Sequence, residues 1–157
     1  MNMDPEKLHH KIYQLLASQG LAVLSTSAKG SPYASLVAFC FSKDLRIMYF
    51  ATPRATRKYA NLIDQPQVAF LVDSRANQTE DFHRAAAVTV LGRCEEIAED
   101  GKHKAALPYL ERHPYLKEFI DAPTTAYFAV RIEKYIYVSH FQEVFEYKVA
   151  DDTDTAA

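Results

Sequence analysis

The chain has 157 residues, a formal net charge of −2 and 48 % hydrophobic content, which fits one small soluble domain burying about two-thirds of its unfolded surface. That charge balance gives no global electrostatic case for nucleic acid or an anionic membrane, and no apolar run is long enough to span a bilayer. The N-terminal segment is charged and amphipathic without a signal-peptide apolar core, so a cytoplasmic protein is expected.

In chain order, Asp4-Pro5 caps a first helix with Leu8, Ile12, Leu15 and Leu16 on one face, and Gly20 suits its C-terminal cap. This helix is expected to close one end of a barrel. Strands follow at Leu21–Ser27, Pro32–Ser42 and Leu45–Ala51, joined by Ala28-Lys29-Gly30-Ser31 and Lys43-Asp44. Alternation over Pro32–Phe41 puts Tyr33, Ser35, Val37, Phe39 and Phe41 on one face and Ala34, Leu36, Ala38 and Cys40 on the other. Both faces are largely apolar, as expected where one fills a barrel and the other meets a ligand or a second subunit.

Thr52-Pro53 reads as an N-cap followed by a proline at the first helical position, and Tyr59, Leu62 and Ile63 give the helix its apolar stripe before Pro66 ends it. Arg54, Arg57 and Lys58 then stand near the positive end of a helix dipole, each opposed by about 0.3–1 kcal/mol in the absence of an anion. Backbone N–H groups, a forked Arg, a point-charge Lys and the hydroxyls of Thr52 and Thr56 are the donors a phosphate ester uses. A solvated basic face accounts for the same run, and local sequence leaves both readings open.

Strands Gln67–Asp73 and Ala85–Ala98 come next, with the polar stretch Ser74–Arg84 between them as a loop that could cover a ligand. Lys102–Arg112 and Pro114–Asp121 read as two short helices, separated at His113-Pro114, and Thr125–Ser139 and Glu143–Val149 as the last strands. Residues 1–149 thus form one domain, and the small polar tail, residues 150–157, is expected to be disordered. Antiparallel strands with short turns and peripheral helices make a mainly β fold, a barrel.

Other chemistries lack their motifs. Gly20, Gly30, Gly92 and Gly101 supply neither a GxGxxG fingerprint nor a P-loop, no GxSxG elbow surrounds Ser139-His140, and the six histidines form no HExxH or other metal pattern. Cys40 and Cys94 lie far apart in apolar runs, so buried free thiols are expected. Tyr33, His83 and Tyr49 are loose acid or base candidates, each also readable as structural, and the catalytic residues stay unknown.

The ordered set "GSPYASLVAF", "RIMYFAT", "PRATRKYANL", "QPQVAFLVD" and "AVTVLGRCEEI", from Gly20 to Ile97, resembles the pyridoxamine 5′-phosphate oxidase-like family, the FMN-binding split barrels. The resemblance covers about half of the chain. It implies a Greek-key-like antiparallel split β-barrel with peripheral helices, and a homodimer holding two flavins at its interface. It also implies that Arg57 and Lys58 hold the FMN phosphate with help from Thr52 and Thr56. Ser35, Leu36 and Val37 would lie along the isoalloxazine ring, their backbone N–H groups bonding its polar edge. Vitamin-B6 oxidases of the family place a C-terminal Trp and Arg against their substrate, whereas this chain has no Trp and ends its last strands in "YIYVSHFQEVFEYKV". Where those oxidases carry a flavin-binding glutamine, Ala86 and Ala87 stand here, with Asn77 or Gln78 as the substitutes the loop offers.

An FMN-dependent oxidoreductase acting on an unidentified small molecule is therefore the first functional expectation. A haem- or flavin-binding protein without turnover is the second, with His83 or His140 as axial ligand, and an enzyme using the deazaflavin F420 is the third.

Overall fold

The computed structural model describes residues 2–151, so the predicted tail from residue 152 onward lies outside the described residues. Helix α1 (Pro5–Ser18) leads into strands β1 (Leu21–Ala28), β2 (Ser31–Phe41) and β3 (Ile47–Pro53), which form an antiparallel meander. Helix α2 (Arg57–Asp64) then carries the chain across to β4 (Gln67–Asp73), which pairs with the far edge of β1. A polar connection containing α3 (Asp81–Arg84) precedes β5 (Ala87–Glu96). Helices α4 (Glu99–Ala105), α5 (Leu107–Arg112) and α6 (Lys117–Asp121), with a 3₁₀ turn at Pro114–Leu116, lead to β6 (Thr125–Ser139) and β7 (Glu143–Lys148).

The strand order is β3-β2-β1-β4-β5-β6-β7, and pairing of β3 with β6 closes the first six into an antiparallel barrel. The α2 crossover makes it Greek-key-like. Strand β6 is 15 residues long because one of its edges serves two neighbours, β3 along Thr125–Arg131 and β7 along Lys134–Ser139. At the hand-over the β5–β6 register shifts between Leu91 and Gly92. The barrel is split on its other side: β2 pairs with β3 only over Phe39–Phe41, so β2 residues 31–38 have no strand partner on that edge.

Alternation directs Leu24, Phe39, Phe50, Phe70, Val90 and Phe128 inward, all at most 1 % exposed. Leu8, Ile12, Leu15 and Leu16 of α1 join this core, so α1 plugs the barrel as its stripe predicts. Its C-terminus is capped differently from the expectation. Gly20 does not take a left-handed conformation; the C-cap is the extended Gln19, whose N–H donates to Leu16 O, and the carbonyls of Leu16, Ala17 and Gln19 accept from the Arg112 guanidinium. A cation at the negative end of the dipole does what a glycine turn would otherwise do. Arg112 also donates to Phe39 O and packs over the Phe39 and Phe41 rings.

The apolar outer face predicted for β2 divides into two halves. Toward its C-terminus Cys40 is buried with Ala51, Tyr109, Ile120 and Tyr127, so the helical layer covers this half. Toward its N-terminus Ser31–Ala34 are exposed and Leu36 is 65 % exposed. Leu36 lies opposite Val23, and Val23 opposite Leu71, itself 37 % exposed, which makes an uncovered apolar row across three strands. Cys40 and Cys94 are free and buried, and burial pushes each thiol up to about 11, leaving both unreactive at neutral pH. Among the described residues no helix is long and apolar enough to cross a membrane.

Candidate functional site

The basic run lies at the start of α2, but the helix begins later than Thr52-Pro53 implies. Pro53 still belongs to β3, where it pairs with Thr125, and the N-cap is Thr56, whose hydroxyl accepts from Tyr59 N at 3.2 Å. Proline fits either role because its fixed φ and missing N–H suit a strand end as well as a first helical position. Thr52 is fully buried, and its hydroxyl lies 3.0 Å from that of Thr56. It therefore supports the Thr56 cap from beneath.

Arg57 and Lys58 occupy the first two helical positions. No hydrogen bond among the described residues uses their backbone N–H groups, and no described carboxylate pairs with either side chain. Lys58 is half-buried, and that burial lowers its pKa by disfavouring the charged form. Two cations, two free N–H groups and a positive dipole end thus converge without a protein counter-charge, an arrangement that favours an oxyanion.

Arg54 does not join them. Its guanidinium turns toward β5 and donates to Glu96 at 2.7 Å, to the Tyr59 hydroxyl at 3.2 Å and to Glu99 at 3.4 Å. Tyr59 OH donates to the other Glu96 oxygen at 2.7 Å, and Glu99 also pairs with the buried Lys102. Burial tends to raise the Glu96 pKa, but the Arg54 and Tyr59 hydrogen bonds outweigh it, and the carboxyl lies below its ordinary range. A lowered carboxylate pKa contributes stability that is present at neutral pH and fades as pH falls through the folded value, on the acid side of the ordinary glutamate range. Thermal unfolding measured between pH 7 and pH 3 is expected to show a shallower acid loss for Glu96→Gln than for the parent chain, with Glu96→Gln the less stable at pH 7. Parallel curves would remove the coupling of α2 to β5 through this carboxylate.

Ser35 and Val37 point into the barrel, opposite Leu24 and Ala22, while Leu36 points outward. All three lie on the stretch of β2 whose second edge is free in the split. The Ser35 hydroxyl is buried and has no hydrogen-bond partner among the described residues, which leaves a desolvation cost of about 1–3 kcal/mol. Ala86 packs against the core just before β5 and pairs with Ser74 at the foot of the loop that carries Asn77 and Gln78. Asp81 organises that loop by accepting from the N–H groups of Ala76, Asn77 and Gln78.

The other sequence candidates separate. Tyr49 stacks on Tyr127 beneath the helical layer. His83 is exposed on α3, and His140 is exposed in the β6–β7 turn beside Glu143. Contact between Phe82 and Phe141 brings these two segments together. His113, placed at a helix boundary by the sequence, is also buried, with Nε2 2.8 Å from Phe39 O. Among the described residues no cluster of His, Cys, Asp or Glu has a metal-binding arrangement. Surface grooves open elsewhere, one beside Ile47, Arg93 and Arg131 and another between Leu71, Phe82 and Phe141, and neither includes Ser35 or Arg57. Arg57 and Leu36 are exposed and Lys58 is half-buried, whereas Thr52 and Val37 are buried.

The sequence model of the pyridoxamine 5′-phosphate oxidase family matches residues 8–139, more than four-fifths of the chain. No curated protein sequence matches it. Among solved structures, a heme binding protein from Mycobacterium smegmatis aligns with a TM-score of 0.79 at 17 % identity, covering 94 % of this chain and 59 % of that one. The chain thus spans about three-fifths of that protein's length. A Clostridium acetobutylicum protein related to general stress protein 26, of the pyridoxinephosphate oxidase family, aligns at 0.72 and 17 % identity over 94 % of this chain and 97 % of its own. A FAD-binding protein from Mesorhizobium loti aligns at 0.65 and 18 % identity, covering 82 % and 90 %. At these identities the likeness establishes the fold alone.

Proposed function

Because the chain belongs to the pyridoxamine 5′-phosphate oxidase family, we propose that it is an FMN-binding flavoprotein, an oxidoreductase acting on a small molecule still to be identified. The observation that carries this reading is the α2 start. Arg57 and Lys58, their free N–H groups and the Thr56 cap stand there with no carboxylate partner among the described residues, next to the β1–β2 hairpin.

The residues suit the group. Arg57 would fork onto phosphate oxygens and Lys58 would add a point charge, its ammonium stabilised by the anion that offsets its burial. Thr56 would present its hydroxyl, with Thr52 beneath it. The free β2 edge would offer backbone groups of Ser35, Leu36 and Val37 to the ring's polar rim, and a reoriented Ser35 hydroxyl would gain the partner it lacks. When bound, the flavin supplies hydride or electron transfer, while the protein supplies position and electrostatics. Residues 1–149 act as one FMN-binding domain in this reading. The apolar row Leu36, Val23 and Leu71 is the surface on which a second copy would cover the flavin, completing an open site as a homodimer.

The Soret band of bound haem and the spectrum of F420 distinguish the two alternatives from FMN. Purified protein mixed with FMN and passed through gel filtration is expected to retain absorption near ~370 and ~450 nm, at one flavin per chain and at the elution volume of a dimer. Loss of the flavin on the column would overturn the proposal, and retention of haem or F420 in its place would select the corresponding alternative.

A further inference from the structure

We infer that Tyr33 is a positioning residue that pre-orients Arg57 for a phosphate and thereby sets preference for the phosphorylated form of a flavin; this rests on the FMN reading above. The Arg57 guanidinium carbon lies 5.4 Å from the centroid of the Tyr33 ring. Tyr33 is 37 % exposed, and its hydroxyl makes no hydrogen bond among the described residues. It is the ring, not the hydroxyl, that meets Arg57.

This contact belongs to a pair of ties. Tyr33 lies directly opposite Thr26 in the β1–β2 hairpin, and the buried Thr26 hydroxyl accepts from Asn61 Nδ2 at 3.0 Å. Arg57 and Asn61 are four residues apart on α2, hence on one face of that helix. One helical face thus grips one cross-strand pair at two points, by a hydrogen bond in the interior and a cation–π contact at the rim. The hairpin that carries Tyr33 also carries Ser35, Leu36 and Val37, so the same grip sets the spacing between the phosphate-binding start of α2 and the strand proposed to line the ring.

An Arg at the first position of an exposed helix start would otherwise sample many rotamers and be ordered only when the ligand arrives. Held over the Tyr33 ring it is restrained before the ligand arrives, and no hydrogen bond among the described residues uses its side-chain N–H groups. No charged group contacts this guanidinium among the described residues.

The test compares FMN with riboflavin, which shares the ring and lacks the phosphate, by fluorescence titration of the full chain and of Tyr33→Leu and Tyr33→Phe. The parent chain is expected to favour FMN. Tyr33→Leu is expected to lower the FMN-to-riboflavin affinity ratio about fivefold with riboflavin affinity unchanged, and Tyr33→Phe to keep the parent ratio. A ratio unaltered in Tyr33→Leu overturns the positioning role, as does equal loss of both ligands, which would mark a merely structural residue. If the parent chain binds neither flavin, the FMN reading itself fails and this inference falls with it.

Discussion

Replacing both Arg57 and Lys58 by alanine is expected to weaken FMN binding at least tenfold, because each cation makes a charge-assisted contact of about 1.5–3 kcal/mol. The accompanying stability change separates loss of a site from loss of the fold. Among the described residues no carboxylate pairs with either side chain in the free protein, and both oppose the α2 dipole. Relief of the dipole, up to about 1 kcal/mol per cation, is offset in part by loss of the Arg57–Tyr33 contact, about 0.5–1 kcal/mol, so the ligand-free chain is expected to stay about as stable as the parent. A chain that has lost its ligand while melting no lower has lost a site and kept its fold. Parallel titrations and thermal melts of Arg57→Ala/Lys58→Ala check this, and unchanged FMN affinity would leave a solvated basic face as the explanation. Arg54→Ala makes the contrasting control. Its guanidinium is committed to Glu96, Tyr59 and Glu99, so its loss is expected to appear in the melt before it appears in the titration.

What local sequence made legible here was periodicity. The alternation of β2, the stripe of α1 and the apolar runs of β4, β5 and β6 placed the barrel's elements with boundaries within a few residues, because side-chain burial is periodic within one element. What it hid was long-range pairing. Arg54 reads like its neighbours Arg57 and Lys58, and only the fold brings Glu96, 42 residues away, against it. Gly20 stands where a helix cap is expected, yet Arg112, from a helix on the far side of the sequence, closes α1. Strand β2 reads as apolar on both faces, and no local pattern tells that a helical layer covers Cys40 while Leu36 stays open. The same division applies to the candidate site. Arg57, Lys58 and Thr56 announce themselves as donors, but the free edge of β2 and the seat of Arg57 on Tyr33 exist only after β3 has parted from β2 to close on β6.

Gly92→Ala is expected to be the most destabilising small substitution in the chain, although nothing in the sequence marks this glycine as a turn. A methyl group at Gly92 would lie 2.5 Å from Arg131 O and 2.9 Å from Val130 Cγ1. The first contact is backbone, so no side-chain rotation relieves it. The position is also where relief is least available. Strand β5 is held on its other edge by β4, with Gly92 opposite Val68, and β6 at Arg131 is leaving β3 for β7. The register shift at Leu91/Gly92 lets one long strand pass from the barrel wall to the β7 extension, and it does so by bringing two backbones closer than a Cβ permits. Alanine would force β5 and β6 apart at the joint, at a cost of about 3 kcal/mol, the upper part of the overpacking range. For a domain of this size that lowers the melting temperature by about 6–12 °C. Urea unfolding of Gly92→Ala beside the parent measures it. A loss under about 0.5 kcal/mol would mean that the two strands separate freely there, and that the barrel is not closed as tightly at β5–β6 as the approach of Arg131 O implies.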